Sequence, residues 1–363
     1  MTPTMIFHAP YPMEPNPTSA SRLRPLRMRE AFKAAGYQVI DLSGTTPQRR
    51  TGYRRLKEQL AAGVKPAFLY SENSTQPNIF ATSIRDGLAP LLDTSIMATA
   101  HRAGIPVGVF YRDVYWRFSS FRAKSVTGRL APAFHRLDLR GYLAAKAHFF
   151  FPSTAMSPYL GLPEGTSYSA LPPAGAAGQT LPLPEGPLTL VYVGGLGNHY
   201  VLTELAQALK ATSSVHLNMV VRQREWENSA GEFATLSSAN VHPHHLNANQ
   251  LDGVYARSHI GVLTVKPSEY WQFAVPAKLY EYLSKGRPIL VTEGTEAARI
   301  VGELGCGWQV PYDGKTLART LRHLANHPEE VQQKAHQTRA AAAVNTWQDR
   351  ALQVATTLTG KAL

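Results

Sequence analysis

Short apolar runs recur along the chain, and most are separated by stretches long enough to carry a helix. The first half holds MIFHA (5–9), YQVIDL (37–42), AFLYSE (67–72), VGVFY (107–111) and AHFFFPS (147–153). The second half repeats the pattern with LTLVYVGG (188–195), HLNMVV (216–221), NVHPH (240–244), IGVLTV (260–265) and PILVT (288–292). Parallel strands need a crossover of about a dozen residues or more, usually a helix. The alternation therefore predicts α/β architecture with parallel sheets covered by helices. Helical stretches are expected over 20–35, 49–62, 91–103 and 137–146, then over 201–211, around Trp226, over 251–257, and over most of 316–327 and 329–358.

Between the two series lies LPPAGAAGQTLPLPEGP, dense in Pro, Gly and Ala and without periodicity. It reads as a linker. The expected organisation is a Rossmann-like N-terminal domain over 1–171, a linker over 172–187, and a second Rossmann-like domain over 188–345. A C-terminal helix over 346–363 is placed to pack back on the first domain. Two doubly wound domains facing a central cleft would offer the carboxyl ends of their strands to a ligand. The 363 residues suffice for two cores.

Other function classes are narrowed by composition. A hydrophobic fraction of 44% and a charged fraction of 17% argue against disorder. No apolar run approaches the ~20 residues of a membrane-spanning helix, and MTPTMIFHAPYP lacks the basic start and long apolar stretch of a secretory signal. The single cysteine, Cys306, cannot close an intrachain disulfide, which suits a reducing, cytoplasmic location. A net charge of +12 calls for an anionic partner or a well-solvated positive surface. Part of that charge, from Arg117 through Arg129, Arg136 and Arg140 to Lys146, is interleaved with Trp116, Phe118, Phe134 and Tyr142. Such a mixture suits the inner face of an anionic membrane as well as it suits plain solvation.

The segment FAVPAKLYEYLSKGRPILVTEG (273–294) reads as helix, tight turn and buried strand. Lys278 and Glu281 share one helical face, where a surface ion pair is worth about 0.2–0.5 kcal/mol. The same pair at a helix N-terminus would also suit a diphosphate and a ribose. In VYVGGLGNHY, Gly194, Gly195, Gly197 and Asn198 lie between a strand and a helix, where glycines let a backbone approach a phosphate. Arg222, in VVRQRE, ends a strand and has the fork geometry for a diphosphate; a solvated arginine is the plainer alternative. His242, His244 and His245 have no second cluster of metal ligands, so no metal is expected; they read as plain loop residues or, for His245, as a pocket wall beside a base. Arg112 and Asp113 follow VGVFY. They would either meet a phosphate and an acceptor hydroxyl or cap the strand end.

In their order, VYVGGLG, NVHPHH, IGVLTV and VPAKLYEYLSKGRPILVTEG resemble the C-terminal half of GT-B glycosyltransferases, nearest to the retaining family four and its bacterial cell-surface polysaccharide relatives. SASRLRPLRMREAFKAAGYQVIDL resembles their opening helix and second strand. The resemblance implies metal-independent transfer of a sugar from a nucleotide-diphosphate sugar, with no cofactor beyond that donor, to a lipid-linked or glycan acceptor. Glu281 matches the glutamate that holds the ribose. Lys278 and the glycine turn match the donor-phosphate region. A second family glutamate would fall at Phe273, with Glu269 and Gln272 nearby. Relatives carry a basic pair after the glycine turn, for which Lys278 and Arg222 stand in here. Two other functions compete: another GT-B enzyme such as a nucleotide-sugar epimerase, and a basic nucleic-acid-binding protein. For the second no recognition signature is present, so nucleic acid is not an expected partner.

Overall fold

The computed structural model describes residues 2–14, 20–81, 84–118, 126–197, 200–231, 233–234, 240–247 and 250–361. The chain divides into two compact units, residues 1–172 with 347–363, and residues 173–346.

The first unit holds a parallel sheet of β1 (Thr4–Ala9), β2 (Gln38–Ser43), β3 (Leu69–Glu72), β4 (Val107–Phe110), β5 (His148–Phe151) and β6 (Tyr168–Ala170). Their spatial order is β2-β1-β3-β4-β5-β6. The crossovers include α1 (Ala20–Ala34), α2 (Thr46–Ala61), α3 (Leu92–Arg102) and α4 (Val126–Ala144). Every residue of β3 and β4 is buried, as expected for strands covered on both faces.

In the second unit the strands are β7 (Thr189–Val193), β8 (His216–Val220), β9 (Val241–His244), β10 (Ile260–Leu263), β11 (Ile289–Thr292) and β12 (Gly307–Val310). Their order, β12-β11-β10-β7-β8-β9, is that of dinucleotide-binding sheets. The helices are α5 (Thr203–Lys210), α6 (Gln223–Ser229), α7 (Asp252–Ala256), α8 (Ala277–Ser284), α9 (Glu296–Leu304), α10 (Gly314–Asn326) and α11 (Pro328–Ala343). The last helix, α12 (Trp347–Thr359), buries Ala351, Val354 and Ala355 in the first unit's core beside Met28 and Phe32. The Pro-Gly-Ala stretch packs on the second unit. Leu181 N–H donates to Lys285 O at 3.2 Å, and the Arg287 guanidinium donates to Pro182 O at 2.6 Å.

The sequence reading departs from the structure in four places. Strands β6 and β12 were not expected, because YSA is three residues long and GWQV is only partly buried. Helix α9 follows PILVT unannounced, although Thr295 caps it through Ala298 N–H at 3.1 Å. Helix α4 starts at Val126 rather than near Leu137 and runs through Pro132. There the packing of Leu139 and Tyr142 outweighs the missing N–H. Between α11 and α12, at 344–346, Thr346 bridges to Gly175. Phe121, Arg122 and Lys124 of the basic aromatic segment lie outside the described residues.

A buried polar group ties β1, β3, α2 and α3 together. His8 Nδ1 is 2.8 Å from Ser71 Oγ, and His8 Nε2 is 2.9 Å from Asp93 Oδ1. Arg49 donates to both Asp93 oxygens, at 2.8 and 3.4 Å, and to Pro10 O at 3.0 Å. Because Asp93 is acceptor-only, His8 Nε2–H donates to it. Burial pushes the Asp93 carboxyl up, but its bonds to His8 and Arg49 outweigh burial and hold it below its ordinary value. Replacing Asp93 with Ala leaves the Arg49 charge buried without its partner. It is expected to cost about 3–5 kcal/mol by urea denaturation; a loss under ~1 kcal/mol would contradict this account.

Asp138 on α4 behaves oppositely. Its Oδ2 accepts from Asn78 N–H at 2.8 Å, yet burial raises its pKa to about 7. The folded state therefore holds a proton that the unfolded state releases above its ordinary value of 3.8. The contribution of Asp138 to stability should therefore fall as pH rises from about 4 to about 7. Asp138→Asn, which keeps an acceptor and cannot ionise, should gain relative stability across that window and level off above it. Denaturation curves that move in parallel from pH 4 to 8 would refute the assignment.

Candidate functional site

In the second sheet the chain runs outward from β7 through β8 to β9, then crosses back to place β10 on the other side of β7. The β7–β10 boundary is thus the point where the winding reverses, and open α/β sheets bind ligands beyond the carboxyl ends of the strands there. The two strands pair only at Ile260↔Leu190 and Gly261↔Val191. Beyond that point Val193 N–H is satisfied by the Tyr282 hydroxyl, at 3.0 Å. The Tyr282 ring lies so close over β10 that a Cβ at Gly261 would be 2.4 Å from it. Glycine is required there by contact.

The glycine turn follows β7. Gly194 N–H donates to Val220 O at 3.1 Å, and Tyr192 Oη donates to Gly195 O at 2.6 Å. Leu196 N–H donates to Glu225 Oε2 at 3.2 Å. Gly197 has φ +114°, a conformation that favours glycine, and its carbonyl accepts from Tyr200 N–H at 2.8 Å. Asn198 lies outside the described residues. The segment after the turn meets the loop after β10: Lys266 N–H donates to Val201 O at 3.0 Å, and the Tyr200 and Trp271 rings are 5.8 Å apart.

Helix α8 starts behind that loop, with Pro276 as its N-cap and no side chain bonded to its first amides. Lys278 Nζ donates to Glu281 Oε2 at 2.5 Å, and Tyr255 Oη donates to Glu281 Oε1 at 2.6 Å. Both partners of the pair are part-exposed, whereas Tyr255 is fully buried. Burial first, and Glu281 second, push the Tyr255 phenol well above its ordinary value, so it remains a donor. The carboxylate is therefore oriented from inside the unit and meets Lys278 at the surface.

Arg222 is the N-cap of α6 after β8, and its largely exposed guanidinium donates to Glu225 Oε1 at 3.0 Å. His245, beyond β9, is exposed and is 3.0 Å from Val221 O through Nδ1, which fixes the proton on Nδ1 and leaves Nε2 as an acceptor. Gln272 is exposed on a short 3-10 turn, Tyr270–Gln272, while Phe273 beside it is buried. Gly194, Gly195, Gly197, Arg222, His245, Gln272, Lys278 and Glu281 thus all follow the carboxyl ends of β7, β8, β9 and β10. Among the described residues no group of three or more His, Cys, Asp or Glu side chains is placed to hold a metal ion.

Arg112 and Asp113 belong to the first unit, beyond β4. Asp113 Oδ1 accepts from Val114 and Tyr115 N–H at 2.7 and 3.1 Å, the capping geometry of a turn. Arg112 bonds Glu72 and Tyr11. Tyr255, Tyr282 and Glu225 were not singled out from the sequence. Only Glu225 left a local trace, three residues beyond Arg222.

No protein-family model and no curated protein matches the sequence. Solved structures match it over nearly its whole length, and together with the two sheets they show a fold of two Rossmann-like units, that of the GT-B glycosyltransferases. WaaG, a glycosyltransferase involved in lipopolysaccharide biosynthesis, is 16% identical at a TM-score of 0.57, covering 98% of this chain and 100% of its own. HepE from Anabaena, solved with UDP, is 11% identical at a TM-score of 0.64, with 98% and 100% covered. Sucrose-phosphate synthase from Thermosynechococcus elongatus is 13% identical at 0.64, with 98% of each chain covered. Identities this low speak for the fold alone.

The Tyr282 contact has a direct test. Tyr282→Phe removes the hydroxyl that satisfies a buried amide and should cost about 1–3 kcal/mol. Chemical denaturation measures it, and a loss below ~0.5 kcal/mol would mean that Val193 N–H finds another partner.

Proposed function

We propose that this protein is a glycosyltransferase that moves a sugar from a nucleoside-diphosphate sugar to a lipid-linked or glycan acceptor. The observation that carries the reading is that the glycine turn follows β7, and the helix bearing the Lys278–Glu281 pair follows β10, the two strands that flank one reversal point. A lysine and unfilled helix amides suit a diphosphate, and an oriented carboxylate suits the two hydroxyls of a ribose. In this reading Gln272 binds the donor sugar, and His245 lines the pocket beside the base. That HepE was solved with UDP and with UDP-glucose supports a donor of this class.

In this reading the transfer is metal-independent. Lys278, Arg222 and backbone N–H groups stabilise the charge that develops on the departing diphosphate. The acceptor hydroxyl oxygen bonds to the anomeric carbon as its bond to the diphosphate breaks. With retention of configuration, the leaving phosphate oxygen takes the hydroxyl proton and no protein base is needed. Asp113, already committed to two backbone amides, then positions its turn and with it Arg112 on the acceptor side. An acceptor presented at the cytoplasmic membrane face accords with Leu130, exposed on α4 near Arg129 and Arg136. No helix among the described residues is long and apolar enough to cross a membrane, so any attachment through them would be peripheral.

Calorimetry with UDP, GDP and ADP tests the donor site. One of them should bind wild-type protein, and Lys278→Ala and Glu281→Ala should each weaken it about tenfold or more, ~1.4 kcal/mol, with unchanged circular dichroism. Unaltered affinity in both variants would remove the assignment. For the membrane, sedimentation with anionic vesicles should exceed that with neutral vesicles and decline with salt. Equal sedimentation with both would count against a charged membrane face.

A further inference from the structure

The first sheet also has a reversal point, between β1 and β3 in the order β2-β1-β3-β4. Beyond the carboxyl ends of β1, β3 and β4 stand Tyr11, Asn73 and Arg112. Arg112 joins them: its backbone N–H donates to Asn73 Oδ1 at 3.0 Å, and its guanidinium donates to Tyr11 Oη at 3.1 Å. Beneath lies Glu72, fully buried, whose carboxylate receives Arg112 at 3.3 Å and Arg24 at 3.0 Å. Arg24 is spent on structure. It also donates to Pro172 O at 3.3 Å, and its guanidinium carbon lies 3.4 Å from the Phe110 ring centroid.

Two features make this more than a charged brace. Two guanidiniums share the Glu72 carboxylate, so these three side chains together carry a positive charge. The remaining hydrogen-bond capacity also consists of donors. Tyr11 Oη accepts from Arg112, and its own hydrogen meets no acceptor among the described residues. Asn73 Oδ1 is taken by Arg112 N–H, and its amide hydrogens meet no acceptor there either. Burial raises the Tyr11 phenol to about 12, so its proton stays in place.

We propose that Tyr11, Asn73 and Arg112 form a site for an anionic group, a phosphate or a carboxylate, carried by the acceptor. The acceptor role rests on the glycosyltransferase reading; the anion site itself does not. Arg112 supplies charge, Tyr11 and Asn73 supply neutral donors, and Glu72 with Arg24 holds the guanidinium in place. An uncharged acceptor would leave those donors without partners, so the site selects acidic acceptors.

Thermal unfolding with increasing inorganic phosphate, and separately acetate, at constant ionic strength gives an apparent anion affinity by mass action. Wild-type protein should be stabilised by one of the two anions, which identifies the group. Tyr11→Phe and Arg112→Gln should weaken that affinity about tenfold, whereas the exposed control Arg129→Gln should retain it. Tyr11→Phe decides alone if Arg112→Gln fails to fold. An unchanged response in Tyr11→Phe, an equal loss in the control, or no response in wild type would overturn the proposal. UDP measured alongside keeps the two readings apart. No anion response in wild type with UDP binding intact sinks this site alone, and an anion response without UDP binding sinks the donor site alone.

Discussion

The second unit depends on how two parallel strands separate without leaving a buried amide unsatisfied. Where β7 and β10 part, Val193 N–H has no strand partner, and the Tyr282 hydroxyl supplies one from α8. The ring reaches it by lying against Gly261, where any side chain would collide. One bond therefore fixes α8 against the reversal point. Lys278 and Glu281 lie on that helix, so the contact that closes the sheet's polar ledger also sets where its ion pair stands.

The candidate site is held from behind by neutral donors and left charged in front. Tyr255 orients Glu281, Tyr192 holds the Gly195 carbonyl, and both phenols are kept protonated by burial. Glu225 gives the glycine turn a further character. Its carboxylate accepts Leu196 N–H and the Arg222 guanidinium, so an internal anion already sits on a turn suited to anions. A diphosphate there would compete with Glu225 for the Leu196 amide and for Arg222. The first unit uses the opposite device: Glu72 is buried beneath two arginines, and the excess charge is positive.

Much of this was legible because parallel strands buried on both faces read as apolar runs, and runs such as VGVFY, LTLVYVGG and PILVT are hard to place otherwise. Helix α8 was legible from Pro276, the Leu279–Leu283 spacing and Gly286. The glycine turn was legible from three glycines in four positions. Strands β6 and β12 were not, because an edge strand can be short or polar. Tyr282 was invisible for a different reason: its partner is 89 residues away, and nothing in YEYLSK distinguishes a core tyrosine from one that satisfies an amide. Arg222 illustrates the limit of residue type. Its position at a strand end was readable, but its pairing with Glu225 was not.

The central claim is that the glycine turn and the Lys278–Glu281 helix serve one bound nucleoside diphosphate. Hydrogen–deuterium exchange with and without the diphosphate that binds tests it most directly. Slowed exchange in peptides covering both 194–197 and 277–284 is the predicted result. Protection confined to the first unit, or to one of those two segments, would contradict it.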